Sequence, residues 1–299
     1  MLRTGVSLFI VIGLFVLVAS GPSLIRIESN QISVHPEAVF QSLFEMAERA
    51  TNGTLLEYQA GRAYHKLHET LPLYFVISLG YILSAALLSL FIGVSLGFLT
   101  SFRHGRFLTA LLEFVHVIPD FVLAIFLQII VIAITQATGH RVARIAYVNG
   151  ISGAYTLPIT VMTFVATVFI IRSVHGYLTE VKSQDYLLFA VAKGLAKPRL
   201  IATHLLVPVL HKLRGDLHGL LALLIGNLFI IERIFNIPGI TSFIFDNAFQ
   251  RIADSVTSSI KIITQLHVAL SGFLAIVVVY WMLYGLFSLV LTLFIRWRE

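Results

Sequence analysis

The chain has 299 residues, of which 58% are hydrophobic and only 12% are charged, and its mean hydropathy is +0.90. In soluble proteins about a quarter of the residues are charged, so this composition excludes a soluble protein and predicts an integral membrane protein. The absence of cysteine excludes disulfides and thiolate metal sites. We attribute the net charge of +6 to membrane anchoring rather than nucleic-acid binding, because Lys and Arg flank apolar runs.

The N-terminal part of the sequence divides into an apolar run and a polar segment. The run Gly5–Ser20 predicts a retained first transmembrane helix within residues 1–23. A cleaved signal peptide is the alternative, because the small residues Ala19–Gly21 follow a short apolar core. Residues 24–72 are the most polar part of the chain, and we interpret them as an extracytoplasmic segment with short helices.

Five further apolar runs predict five more membrane helices, so we expect an all-α polytopic membrane protein with about six spans. The predicted ranges are Leu73–Thr100, Phe107–Gln136, Thr156–Val174, Leu217–Phe235 and Leu266–Ile295. Gly93 and Gly97 have the spacing that lets a second helix approach closely. Pro119 should kink the third of the six predicted helices, because it removes a backbone hydrogen bond.

Ionisable residues within the predicted spans are candidates for a transport path. Glu113, His116 and Asp120 share one helix face by their spacing. Such groups are costly within a membrane and usually face a cavity or a partner. This face therefore lines a path or meets a partner, unless Glu113 and His116 simply pair near the cytoplasmic end; a metal site is the third alternative. Asn227 and Glu232 are the remaining path candidates.

The polar stretch Gln184–Pro208 separates the fourth and fifth predicted helices, and the rest of the chain is organised around it. Its sequence, QDYLLFAVAKGLAKPRLIATHLLVP, predicts a short helix over Tyr186–Lys193 that Gly194 ends in the left-handed conformation. A second, basic helix continues through His204. Seven bases and only two acids lie within Arg172–Arg214, which predicts a cytoplasmic loop.

Two segments of the chain resemble a known family. Asp185–His204 resembles the cytoplasmic "EAA" coupling loop of ABC importer permeases, most closely in the dipeptide/oligopeptide/nickel branch, where the loop often reads D-Y-x-x-x-A-x-A-K-G-L. The matching residues are Asp185, Tyr186, Ala190, Ala192, Lys193, Gly194, Leu195 and His204. Ile230–Phe249 resembles that branch's E-x-V-F-x-x-P-G-L-G-x-L-x-x-D-A segment. Its matching residues are Glu232, Phe235, Pro238, Gly239, Asp246 and Ala248.

The chain also departs from the family pattern. Leu188 stands where the EAA loop has its glutamate, and Asp120 stands where a small residue is usual. Residues 250–265 are longer than the family's corresponding loop and lack its R-D-Y-P. Asp120 therefore predicts an altered cargo, and Leu188 predicts a more apolar docking helix.

The resemblance implies a type I ABC importer permease fold, with residues 73–299 as a five-helix permease domain and 176–214 as the cytoplasmic coupling loop. It implies a permease subunit that imports peptides by alternating access, with nickel or another small solute as the alternative. In that family the short helix enters a groove on an ATPase subunit, for which the small Ala190, Ala192 and Gly194 are suited.

The same resemblance implies the partners and the location. The partners are a second homologous permease, two ABC ATPase subunits, an extracytoplasmic substrate-binding protein and the lipid bilayer, with no nucleic acid. The location is a bacterial or archaeal cell membrane, with several spans and both termini cytoplasmic. The chain lacks the motif G-x-x-x-x-G-K-[ST], so ATP and Mg belong on the ATPase. We expect this chain to hold no cofactor or metal and not to be an enzyme.

Two other classes of membrane protein remain as alternatives. A channel or structural membrane subunit would need no docking loop for an ATPase. An intramembrane hydrolase would need a Ser–His or metal pair at one depth. Gly150–Gly153 matches the G-x-S-G string of intramembrane serine proteases, but it precedes an apolar run among turn residues, and we interpret it as coincidence.

Overall fold

A computed structural model of the chain describes residues 13–28, 31–61, 63–102, 118–148, 154–196, 199–254 and 259–298. Its longer α-helices are α1 (Glu37–Thr51), α2 (Leu67–Phe102), α3 (Asp120–Thr138), α4 (Thr156–Lys182), α5 (Asp185–Ala192), α6 (Leu206–Gly215), α7 (Leu217–Ile234) and α8 (Leu266–Arg298). A four-residue helix, Ile240–Phe243, continues into a π-helix, Ile244–Ala248. The strands are β1 (Ile25–Glu28), β2 (Gln31–Val34), β3 (Glu57–Ala60), β4 (Ala63–Lys66), β5 (Phe249–Asp254) and β6 (Ser259–Thr264).

The helical membrane fold expected from composition is confirmed. Within the described part of the chain, five helices are long and apolar enough to cross a membrane: α2, α3, α4, α7 and α8. Of the predicted first span, residues 13–20 are helical, and the remainder lies outside the described residues.

The first of two compact units contains the chain up to Ser78 and residues 238–278. It holds a four-stranded sheet of order β2-β1-β6-β5, in which all neighbours are antiparallel, and a separate β3–β4 hairpin. Residues 24–72 were expected to form short helices, and α1 lies there; the sequence analysis missed the strands β1 to β4 that the structure places in the same segment. The sequence IRIE and the first four residues of SIKIIT alternate polar residues with the β-branched isoleucine, and both sequences are rich in β-branched residues, which favours strands.

In this first unit, the side chain of Gln265 forms hydrogen bonds with backbone groups, as a neighbouring strand would. Its Oε1 accepts the backbone N–H of Gln59 at 2.9 Å, and its Nε2 donates to the Gln59 carbonyl at 2.7 Å and to the Asn247 carbonyl at 2.9 Å. The ring of His267 hydrogen-bonds the Glu57 carbonyl at 3.0 Å. These bonds connect β3 to the beginning of α8, across more than 200 residues of sequence.

The second unit contains residues 79–237 and 279–299 and holds most of the membrane helices. Gly93 and Gly97 of α2 face α4: a Cβ at Gly93 would lie 2.7 Å from the Ile170 Cβ, and one at Gly97 would lie 2.7 Å from a Val174 methyl. Real Cβ atoms do not approach so closely, so the two glycines are what allows this packing. The interpretation of the Gly-x-x-x-Gly spacing as a helix contact is confirmed.

Two predicted helix boundaries in the second unit were wrong. Helix α4 continues to Lys182 instead of ending at Val174, because its apolar face continues through the buried Leu178 and Val181. The third predicted span does not run through Pro119, which has extended backbone (φ −62°, ψ 142°) and precedes the first residue of α3. Proline is tolerated there because the first N–H groups of a helix have no intrahelical partner.

Candidate docking segment and transport path

Helix α5 has the short length and the ending that the sequence predicts. Gly194 has φ +73°, the left-handed conformation that side chains disfavour. The Leu195 N–H reaches back to the Ala190 carbonyl at 3.4 Å, and the Lys193 N–H bonds the Phe189 carbonyl at 3.0 Å. These hydrogen bonds end the helix at a glycine in the left-handed conformation. The predicted role of Gly194 as the helix terminator is confirmed.

The two sides of α5 differ in exposure. Leu187 and Ala190 are buried within the chain, with 8% and 4% of their surface exposed. Tyr186 and Phe189 are 43% and 71% exposed, and they are neighbours on the helix at a spacing of three. Ala190 was expected to pack into a partner groove, but the structure turns it inward. The outward side is aromatic, and sequence reasoning missed Phe189, although its i, i+3 spacing from Tyr186 was a visible signal.

The remaining predicted docking residues lie at the two ends of this helix, just after it, and on the following helix. Asp185, Ala192 and Lys193 are exposed, and Leu195 is half-buried. The Tyr186 hydroxyl donates to the His204 carbonyl at 3.4 Å, so the structure brings together two residues that are 18 positions apart. His204 lies in a π-helix, Leu200–Leu205, that continues into α6. The contact joins α5 to the C-terminal part of this π-helix.

The second family-like segment begins at the end of α7. Asn236 has φ 52° without being glycine, the Ile237 N–H bonds the Glu232 carbonyl at 2.8 Å, and the Asn236 N–H bonds the Arg233 carbonyl at 3.4 Å. This bonding pair is a Schellman ending, in which Asn is the usual substitute for Gly. The Asn236 side chain also donates to the Tyr147 carbonyl at 3.2 Å. The motif is thus a sharp helix stop whose backbone polar groups are paired.

Among the predicted path residues, the structure describes Asp120, Asn227 and Glu232; Glu113 and His116 lie outside the described residues. Asp120, at the beginning of α3, lines a pocket of ≈ 210 Å³. The other described lining residues are Ile118, Leu123, Phe164, Val165, Val168 and Leu223. Asn227 and Glu232 are buried on α7 and are not among them. The structure therefore supports Asp120 as a pocket residue and does not unite the three.

Buried polar groups that sequence reasoning missed lie on α4. Thr163 and Thr167, one helical turn apart, are each 8% exposed. Among the described residues, neither hydroxyl has a hydrogen-bond partner, and the Asn227 Nδ2 has none either. Burying such groups unpaired is costly, so these positions on α4 and α7 are candidates for contact with water or cargo. The i, i+4 threonine pair was a visible signal for them.

The profile of the family described as "Binding-protein-dependent transport system inner membrane component" matches residues 85–299. The chain is similar to the "Probable peptide ABC transporter permease protein y4tP" of Sinorhizobium fredii, with 30% identity over 197 residues that cover 62% of this chain and 61% of the relative.

Two dipeptide transport system permease proteins named DppB are also similar. The protein of Bacillus subtilis is 33% identical over 95 residues, covering 32% of this chain and 31% of the relative. The protein of Haemophilus influenzae is 30% identical over 125 residues, covering 40% and 38%. Each of the three matches spans less than two thirds of the relative's own length.

Proposed function

The chain belongs to the family of binding-protein-dependent transport system inner membrane components, and we propose that it is the permease subunit of an ATP-driven importer. In this proposal the membrane helices form part of the path, and the docking segment, Asp185–Leu205, receives the movement of a separate ATPase. The chain lacks a P-loop motif, so nucleotide phosphates are held by the partner. Transport proceeds by alternating access.

The observation that carries this proposal is the outward aromatic side of α5. Tyr186 and Phe189 are exposed on an eight-residue helix that lies in the chain between two membrane spans. A rigid short helix with exposed aromatic residues fits a concave surface on a partner, because aromatic side chains supply large contact area at low entropic cost. A channel or a structural subunit needs no such element.

We propose peptides as the cargo, with nickel or another small solute as the alternative. The support is that the curated relatives are named as peptide and dipeptide permeases. The partners in this proposal are a second homologous permease, two ABC ATPase subunits and an extracytoplasmic binding protein. Both termini are cytoplasmic, and the docking segment lies on the cytoplasmic side, where its excess of bases follows the positive-inside rule.

Affinity purification of the tagged chain from its native membranes in mild detergent tests this proposal. We expect an ABC ATPase and a second permease to co-purify with the unaltered chain. Gly194→Leu should lose the ATPase, because a leucine at φ +73° is strained by about 1–2 kcal/mol and reshapes the end of α5.

Gly139→Leu is the matched control for this substitution. Gly139 has φ +69° at the end of α3, and it also has open space around its Cβ position, so the strain is the same at a place unrelated to docking. Loss of the ATPase with both variants would indicate general damage. If no ATPase co-purifies with the unaltered chain, the permease proposal is wrong.

Uptake into proteoliposomes that contain the purified complex, with the extracytoplasmic binding protein supplied on the side opposite the ATPase, then identifies the cargo. A mixture of ¹⁴C-labelled dipeptides should accumulate in the proteoliposomes only when ATP is present on the side of the membrane that carries the ATPase. Accumulation of ⁶³Ni²⁺ instead would select the alternative cargo. ATP-independent equilibration of either probe would favour the channel alternative.

A further inference from the structure

The junction between α6 and α7, residues Lys212–His218, is held by contacts from α4. The Lys212 ammonium forms an ion pair with Glu180, and its Nζ lies 5.7 Å from the centre of the Tyr177 ring. The Asp216 carboxylate accepts a hydrogen bond from the Tyr177 hydroxyl. Tyr177 and Glu180 lie on the last two turns of α4, a membrane span that ends where the docking segment begins. One side of the junction is therefore joined to α4.

The other two residues of the junction, Arg214 and His218, contact α8. The Arg214 Nε donates to the Ser288 Oγ at 3.1 Å. The His218 ring hydrogen-bonds the Tyr280 hydroxyl and stacks on Tyr284, with ring centres 4.3 Å apart and planes inclined by 18°. Since Ser288, Tyr280 and Tyr284 share one face of α8 at spacings of four, these contacts form a single strip.

The alternation of the junction residues is a consequence of helix geometry. Residues four apart lie on the same side of a helix, and residues two apart lie on nearly opposite sides. Lys212 and Asp216 therefore contact α4, whereas Arg214 and His218 contact α8. The junction lies between two membrane spans and has partners on both of them.

The side chain of Asp216 hydrogen-bonds to Tyr177 of α4 and does not cap α7. It occupies the N-cap position of α7, where aspartate usually accepts a hydrogen bond from a backbone N–H of the first turn. Here its side chain makes no cap hydrogen bond and accepts the Tyr177 hydroxyl instead. The carboxylate thus connects two helices at a place where it would ordinarily stabilise only one.

Each contact alone is weak, because the side chains are partly solvated. Glu180 and Lys212 are 56% and 35% exposed, and an ion pair in that setting contributes little to stability. Contacts from two directions nevertheless restrict how the junction can rotate. The arrangement is therefore better suited to fixing orientation than to holding the fold together.

We propose that these residues form a clamp through which displacement of the docking segment is passed to α4 and α8. The clamp comprises Tyr177, Glu180, Lys212, Arg214, Asp216, His218, Tyr280, Tyr284 and Ser288. This inference rests on the proposed function, since it assigns positioning residues to the coupling of ATP hydrolysis to transport. It predicts that the junction and the end of α4 move as one body.

The ratio of transport to ATP hydrolysis tests the clamp. In the purified complex, Tyr177→Phe should lower the amount of ¹⁴C-labelled dipeptide accumulated per ATP by about two- to tenfold, the effect of losing one hydrogen bond. Assembly with the ATPase should not change. The control is Tyr64→Phe, which removes a hydroxyl from a side chain that is 68% exposed in β4. Unchanged coupling in Tyr177→Phe would overturn the clamp.

A charge exchange separates positioning from general structure. Glu180→Lys and Lys212→Glu should each lower the coupling ratio, and the double variant should restore it, because the ion pair is rebuilt with reversed charges. A double variant no better than the singles would overturn the role of this pair. If the unaltered chain brings down no ATPase, the proposed function itself has failed, which is a different result.

A distance measurement that needs no cargo completes the test. The chain has no cysteine, so nitroxide labels can be placed at Gly176→Cys on α4 and Gly215→Cys at the end of α6 without removing native thiols of this chain. Neither residue belongs to the clamp, and nothing lies within 4 Å of either Cβ position. We expect the same distance distribution in the ATP-free and the vanadate-trapped complex. A shift on trapping would show that the junction moves away from α4, and it would overturn the clamp.

Discussion

Phe189 and Ala190 are adjacent in the sequence, about 100° apart around α5, and they differ sharply in exposure. Ala190 is 4% exposed and Phe189 is 71% exposed. The small residue lets the helix lie close to its own chain, and the large one is presented outward. Phe189 is thus the more exposed of the two aromatic residues of α5, and the family-like pattern does not single it out.

Phe189→Ala should weaken ATPase association by about tenfold or more, because a central aromatic contact commonly dominates an interface. The fold should be unaffected, since the side chain is exposed. Co-purification at graded detergent and salt concentrations measures the loss. Phe40→Ala is the matched control, because Phe40 is 74% exposed in α1, outside the docking segment. Equal ATPase recovery from both variants would contradict the assignment of the docking surface.

At the scale of elements, the close contact of α2 with α4 depends on two glycines, which have no side chain to keep the helices apart. Gly93 and Gly97 present bare backbone to Ile170 and Val174 on successive turns of α4. Small residues allow membrane helices to gain van der Waals contact where no hydrophobic driving force exists between them. Because α4 also carries Tyr177 and Glu180, its position affects the clamp as well.

Gly93→Leu should destabilise the second unit by about 1–3 kcal/mol, the usual effect of forcing extra volume into a packed contact. Gly80→Leu in the same helix should be nearly neutral, because nothing lies within 4 Å of its Cβ position. Thermal unfolding in detergent, followed by circular dichroism, compares the two variants. The packing assignment fails if Gly80→Leu is as harmful as Gly93→Leu.

At the scale of the whole molecule, the proposed path has a charged residue at a pocket lined mainly by apolar side chains. Asp120 lies in the first turn of α3, where a carboxylate is favoured by the helix dipole, and it lines a pocket of ≈ 210 Å³. An acid in this position can interact with the positive end of a peptide or with a cation. In the proposed function, this pocket is the place where the departure from the family pattern would act on the cargo.

Asp120→Ala should change the rate of transport or the range of peptides accumulated while the ATPase remains bound, because it removes the charge from the pocket. Asp120→Asn keeps the shape and should give the same direction of change if charge is the cause. Uptake of dipeptides with different terminal and side-chain charges measures the effect. If uptake of every probe is unchanged, Asp120 does not belong to the path.

The sequence by itself determined the membrane class, the approximate spans and the short helix that ends at Gly194. These are local properties: about 20 apolar residues suffice to span a bilayer, and Gly194 can end α5 through its own backbone freedom. The alternation in IRIE and SIKIIT was also local, and the strands there could have been predicted. The sequence analysis wrongly placed Pro119 inside a helix, because a proline can either kink a helix or precede one.

Only the tertiary structure decided which side of α5 faces outward and what holds the α6–α7 junction. Tyr177 meets Asp216 across 39 residues of sequence, and Arg214 meets Ser288 across 74. In the first unit, Ile27 of β1 pairs with Ile260 of β6. A periodic pattern shows that a residue lies on one face of a helix or strand, but it carries no information on which distant element covers that face. Those contacts depend on how the whole chain packs.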